Sequence, residues 1–205
     1  MREKIFGVLL AGGLSRRMGG GDKPLLEIGG RPIIAHAIAR LAPQCEGLVI
    51  NANGDPARFG AFGLPVVADT IEGFAGPLAG VLAGMDYAAA HWPEATDIVS
   101  APADTPFLPD DLVARLREAR EAAGARIAVA ESGDRVHHAV ALWPVALRTT
   151  LREAVVEEDV RKVSAFISRF VNVNVAWPEE PYDPFFNVNR PEDVERARAI
   201  AQGRP

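Results

Sequence analysis

The chain has 205 residues, 48% of them hydrophobic and 24% charged. That is enough to bury a sizeable apolar core in one domain without covalent staples. A net charge of −5 argues against a general nucleic-acid or membrane-surface binder, which needs a basic face, while leaving room for a local basic pocket. The single cysteine, Cys45, excludes an intrachain disulfide and a thiolate zinc cluster, and fits a reducing cytoplasm.

In chain order, Arg2 and Lys4 lead into the apolar run Ile5–Leu10. The run is too short for a membrane span of roughly 20 residues. It breaks into Gly12-Gly13 and Arg16-Arg17 with no cleavage pattern, so it reads as a first core strand rather than a signal peptide. Apolar periodicity then predicts a helix over Pro32–Leu41, strands over Gly47–Ala52 and Pro65–Ala68, a helix over Leu78–His91 and a strand over Asp97–Ala101. Next come a helix over Pro109–Ala123, strands over Ala125–Ala130 and His138–Trp143, and helices over Ala146–Glu157 and Ser164–Phe170. A strand over Phe170–Val175 and a helix over Pro191–Ala201 close the chain, with Pro109 and Pro191 expected in first helical turns. This alternation implies an α/β fold with a mainly parallel sheet, helices on both faces and a mixed edge in the second half. No repeat or linker divides residues 1–205, which read as a single domain with Trp177–Pro184 as a loop.

Ligands of open α/β sheets gather at the carboxyl ends of strands. Four polar clusters fall there: the glycine loop from Ala11 to Lys23, Asn51-Ala52-Asn53, Asp69-Thr70, and Asp104-Thr105-Pro106. The loop combines backbone N–H groups freed by Gly12, Gly13 and Gly19-Gly20-Gly21 with the charges of Arg16, Arg17 and Lys23. Such a loop suits a triphosphate. Lys23 lies between Asp22 and Pro24, which excludes a P-loop, and the glycine spacing excludes the dinucleotide fingerprint.

Leu10-Ala11-Gly12-Gly13-x-Ser15-x-Arg17-Met18-Gly19 followed by Asp22-Lys23 resembles the nucleotide loop of the molybdenum cofactor guanylyltransferases, the MobA family. The resemblance continues in order through Asn51-Ala52-Asn53, Asp69, Gly76-Pro77-Leu78-Ala79-Gly80, Asp104-Thr105-Pro106 and Asn187-Val188-Asn189-Arg190-Pro191-Glu192. It implies a Rossmann-like, three-layer α/β/α nucleotidyltransferase fold, its first half mainly for GTP and its second mainly for molybdopterin. It also implies Mg²⁺-dependent transfer of GMP from GTP to the terminal phosphate of molybdopterin, releasing pyrophosphate. The attacking phosphate oxygen is already anionic, so positioning, cations and metal matter more than a general base.

The resemblance assigns Arg17 to transition-state charge and Lys23 to nucleotide phosphates, and leaves Arg16 solvated. Leu10, Ala11, Gly12 and Gly13 meet base or phosphate, Gly12-Gly13 being the family's guanine form. Asn51 and Asp69 are nucleotide contacts or strand-end turn residues. Asp69 is suited to accept guanine N1–H and N2–H₂. Asp104 is the expected metal ligand or a turn residue before Pro106, and also a nucleotide contact. Asn189 is the second metal ligand or a residue at the entrance of the Pro191 helix, with Asn187 beside it. His137 is placed near the acceptor. Other cofactor-biosynthesis proteins and recipient apo-molybdoenzymes or their chaperones are implied partners; nucleic acid and membrane are not. Two alternatives stay open: a cytidylyltransferase or other small-molecule nucleotidyltransferase on the same scaffold, and a non-catalytic GTP-binding delivery module. Among the remaining residues, His36 and His91 read as structural, Trp143 and Trp177 as core or loop anchors, and Arg115–Glu121 as a solvated face.

Overall fold

A computed structural model describes residues 4–12, 23–71, 73 and 76–204. Seven strands form one twisted sheet: β1 (Ile5–Leu10), β4 (Gly47–Asn51), β5 (Val66–Val67), β6 (Asp97–Pro102), β7 (Ile127–Ser132), β8 (Arg135–Pro144) and β9 (Asn172–Trp177). β2 (Glu27–Ile28) and β3 (Arg31–Pro32) make a separate antiparallel hairpin, which two-residue strands give no periodicity to predict. The strand order is β5-β4-β1-β6-β8-β7-β9. All pairings are parallel except those of β8 with β6 and with β7, so β8 alone is reversed. The mixed portion falls in the second half, as expected, and its reversed strand lies inside the sheet.

Alternation along β1 decides which helices cover which face. Ile5 and Leu9 pack with Ile34, Ala37 and Leu41 of α1 (Ile33–Leu41) and with Leu112 and Leu116 of α3 (Leu112–Ala122). Phe6 and Val8 point the other way. They meet Leu78, Leu82 and Met85 of α2 (Pro77–His91), in a core shared with Leu151 of α4 (Arg148–Val156) and Phe166 of α5 (Val163–Ile167). These side chains are fully or nearly fully buried, the large ones each contributing roughly 1.5–3 kcal/mol. A third cluster joins Ile28, Ile33 and Val188 to Val194, Ala197 and Ile200 of α6 (Pro191–Ala201), tying the hairpin to the C-terminal helix.

Two expectations change. Pro109 lies before its helix rather than in its first turn: α3 begins at Leu112, whose N–H bonds back to the Pro109 carbonyl at 3.3 Å. The charged face of α3 is also only partly solvated. Arg120 is buried against Asp97 at the start of β6, and Arg115 stacks over Trp177, 4.3 Å from the ring centroid. A helix-face pattern cannot reveal a carboxylate supplied by another strand. The other weak signals settle as structural: His36 Nε2 meets the Ile28 carbonyl, His91 Nδ1 the Tyr87 carbonyl, and Trp143 donates to Ser100 Oγ inside the core.

Candidate active site

β1 has β4 on one side and β6 on the other, and the chain reaches them in opposite directions. The loops leaving β1, β4, β5 and β6 therefore open onto one end of the sheet, where crossovers diverge and leave a crevice. Ala11 N–H donates to the Asn51 carbonyl at 2.8 Å, and Ala103 N–H to the Leu10 carbonyl at 3.0 Å, so the three strand ends are stitched together. Gly13 and Arg17 lie outside the described residues.

On the β6 side, Lys23 opens a 3₁₀ turn and forms an ion pair with Asp104 Oδ2. Its Nζ also donates to Asn189 Oδ1 at 2.8 Å. Side-chain exposures of 19% for Lys23 and 12% for Asp104 screen the pair less than an open surface would. Asp104 Oδ1 accepts from Asn187 Nδ2 at 3.4 Å, and Asn187 Oδ1 accepts from Thr105 Oγ1 at 3.3 Å. The Val188 N–H donates to the Asp104 carbonyl at 3.0 Å, docking the 187–189 segment on the turn after β6. Asn189 is fixed from behind by Asp193 of α6, whose Oδ2 accepts from the N–H groups of Asn189 and Arg190, each at 2.8 Å. The Asp193 cap carries no signal distinguishing it from any acidic first turn.

Asp104 Oδ2 and Asn189 Oδ1 thus converge on a single cation. Two hard oxygens are donors that suit a small divalent cation, which takes one or two carboxylates and completes its shell with water or other oxygen ligands. Among the described residues no three His, Cys, Asp or Glu side chains are grouped to hold a metal ion.

On the β4 side, buried Asn51 donates through Nδ2 to the Val67 carbonyl at 3.2 Å and to Asp69 Oδ1 at 2.9 Å. Asn53 Nδ2 donates to Asp69 Oδ2 at 2.7 Å, and Asn53 Oδ1 accepts the Asp69 N–H at 2.8 Å. Asn53 belongs to a recognised cluster, but its pairing with Asp69 depends on β4 and β5 lying side by side. Gly80 lets α2 approach: a Cβ there would overlap Asn51 Oδ1 and lie 2.8 Å from Leu10 Cδ2.

His137 is at the same end of the sheet, on the reversed strand, but it is buried and occupied. Its Nε2 lies 2.7 Å from Ser132 Oγ, whose hydroxyl donates to Asp183 Oδ1 at 2.8 Å. The ring packs 4.9 Å from that of Phe185. Burial pulls its pKa below the ordinary histidine value, and outweighs the Asp183 carboxylate, which acts to raise it. Trp177 anchors the neighbouring loop by donating from Nε1 to Asp111 Oδ1 at 2.9 Å.

A family model described as the MobA-like NTP transferase domain matches residues 7–173. The chain belongs to the MobA-like NTP transferase family. It is 60% identical over 194 residues to a protein named molybdenum cofactor guanylyltransferase from Rhodopseudomonas palustris (strain BisB5), covering 95% of this chain and 92% of the relative. The molybdopterin-guanine dinucleotide biosynthesis protein A of Archaeoglobus fulgidus shares the fold with a TM-score of 0.73 at 23% identity, covering 97% of this chain and 99% of that one. A Mycobacterium tuberculosis H37Rv protein, solved in complex with manganese, superposes with a TM-score of 0.66 at 20% identity over 96% of this chain and 98% of its own. The MobA-like fold thus places Lys23, Asp104 and Asn189 opposite Asn51, Asn53 and Asp69 across the end of β1. Among its described residues no helix is long and apolar enough to cross a membrane.

Proposed function

We propose that this protein transfers GMP from GTP to the terminal phosphate of molybdopterin, forming the guanine dinucleotide form of the molybdenum cofactor and releasing pyrophosphate. The observation that carries the reading is the convergence of Lys23, Asp104 and Asn189 at the end of β6, in a chain so similar to a molybdenum cofactor guanylyltransferase. A phosphate-monoester oxygen of the acceptor forms a bond to the α-phosphorus. The bond from that phosphorus to the β-phosphate bridging oxygen breaks, and its electron pair leaves with pyrophosphate.

Asp104 and Asn189 would hold Mg²⁺, which when bound supplies positive charge to the phosphates. Manganese in a structural neighbour agrees with a divalent ion in this fold. In the metal-free site Lys23 bridges Asp104 and Asn189; with Mg²⁺ on those oxygens its ammonium would turn to the nucleotide phosphates. Arg17, carried over from the family motif, offsets charge developing around the α-phosphorus. Backbone groups of Leu10, Ala11, Gly12 and Gly13 line the nucleotide, while Asn51 and Asp69 face the base. Asn187 borders the acceptor side. His137 contributes there by bracing, through Ser132 and Asp183, the loop that leads into Asn187.

Residues 1–205 act as one domain, with GTP held mainly by the first half and molybdopterin by the second. The setting is the cytoplasm, with other cofactor-biosynthesis proteins and recipient apo-molybdoenzymes or their chaperones as partners. Incubating the protein with molybdopterin, Mg²⁺ and each nucleoside triphosphate in turn tests the reading. GTP is expected to yield dinucleotide and pyrophosphate fastest. Faster turnover of CTP would overturn the guanine assignment, and nucleotide binding without turnover would make the protein a delivery module.

A further inference from the structure

Asp69 stands two residues past the short strand β5 and is gripped on both carboxylate oxygens. Asn51 Nδ2 donates to Oδ1 at 2.9 Å and Asn53 Nδ2 to Oδ2 at 2.7 Å. The two asparagines come from the end of β4 and are held differently. Asn51 is buried and also tied to the Val67 carbonyl, whereas Asn53 is exposed, and its Oδ1 takes the Asp69 N–H at 2.8 Å. Asn53 therefore holds both the backbone and the side chain of Asp69.

An ionised carboxylate has about four acceptor positions, two on each oxygen. The asparagines occupy one on each, leaving one on each. The Watson–Crick edge of guanine presents two adjacent donors, N1–H and an N2–H, which match that remainder. Both bonds form together only if the carboxylate plane is fixed, because a freely turning carboxylate aligns one oxygen at the expense of the other. Hypoxanthine keeps N1–H and lacks the N2 amine, so it draws less from a fixed carboxylate.

We propose that Asn53 is a positioning residue for base selection: by clamping Oδ2 it holds Asp69 in the one orientation that reads both guanine donors. The inference rests on Asp69 as the reader of guanine. A mere loop tie through the Asp69 N–H would shift the affinities of GTP and ITP together, whereas the clamp changes their ratio.

The test is calorimetric titration of GTP and ITP into the intact protein with Mg²⁺ and no acceptor. Asn53→Ala removes both bonds, and Asn53→Asp keeps an acceptor for the Asp69 N–H while losing the amide donor. Both are expected to lower the GTP-over-ITP preference about tenfold, the scale of one charge-assisted hydrogen bond, mainly by weakening GTP. Asp69→Ala is expected to abolish the preference, with Asn53→Ala adding nothing to the ratio in that background. Wild-type ratios in both Asn53 variants, or equal weakening of GTP and ITP, would overturn the clamp while leaving Asp69 as the reader. Retention of the preference in Asp69→Ala would overturn both. Circular dichroism on each variant confirms that the fold persists.

Discussion

Lys23 is the only described cation that reaches both Asp104 and Asn189, and this shapes what each substitution does. Asp104→Asn keeps the size of the side chain and removes its charge. The backbone bond from Val188 N–H to the Asp104 carbonyl is untouched, so the 187–189 segment stays docked. The expected outcome is a fall in kcat of about 100-fold or more, typical of losing a group that stabilises reacting charge. Circular dichroism should remain native. Near-normal turnover would remove Asp104 from the reaction. The amide hydrogen bonds around Asp69 act differently in the proposed reading: they would hold an acceptor in place for a neutral base, so damage there should appear in nucleotide affinity and selectivity before it appears in turnover.

Among the elements, α2 matters most to the site because its glycines set its distance from the sheet. A Cβ at Gly80 would overlap Asn51 Oδ1, while one at Gly84, a turn further on, would overlap a methyl of Val8 in the core. Both Gly80→Ala and Gly84→Ala should destabilise the fold by about 1–3 kcal/mol, the usual cost of overpacking, measured by urea unfolding. Only Gly80→Ala should also weaken GTP binding, through Asn51. Equal effects of the two on GTP would mean that Asn51 does not depend on this approach. The glycine-rich start of α2 and the motif order were visible in the sequence, as were β1 and the boundaries of α6. Two of the hidden parts depend on partners distant along the chain, Asn53 with Asp69 and Arg120 with Asp97, while the local Asp193 cap behind Asn189 looks like any acidic first turn. Local periodicity reports which face of an element is apolar, and carries no record of which polar group another element will bring to it.

For the molecule as a whole, the reversed strand β8 sits between β6 and β7, and the buried His137 on it should make stability pH-dependent. Burial favours its neutral form in the native state, so the unfolded chain takes up a proton at higher pH than the folded one. That contribution to stability is complete above the ordinary histidine value of 6.5 and is lost as pH falls through the lower native value. The urea midpoint should therefore drop between about pH 7 and pH 5, and His137→Gln should flatten part of that drop. An unchanged slope in the variant would show that His137 does not titrate with unfolding. The parallel half of the sheet gathers the end of β1, Asn51, Asp69 and Asp104 at one end, and the mixed half brings the Asn187–Asn189 segment to meet Asp104. The proposed reaction accordingly brings two anionic substrates together over β1 and β6. The most direct measurement follows the label from α-³²P GTP and from γ-³²P GTP in parallel reactions with molybdopterin and Mg²⁺. The α label should appear in a pterin–guanine dinucleotide and the γ label in pyrophosphate; γ label released as orthophosphate, with no α label in the pterin product, would contradict guanylyl transfer.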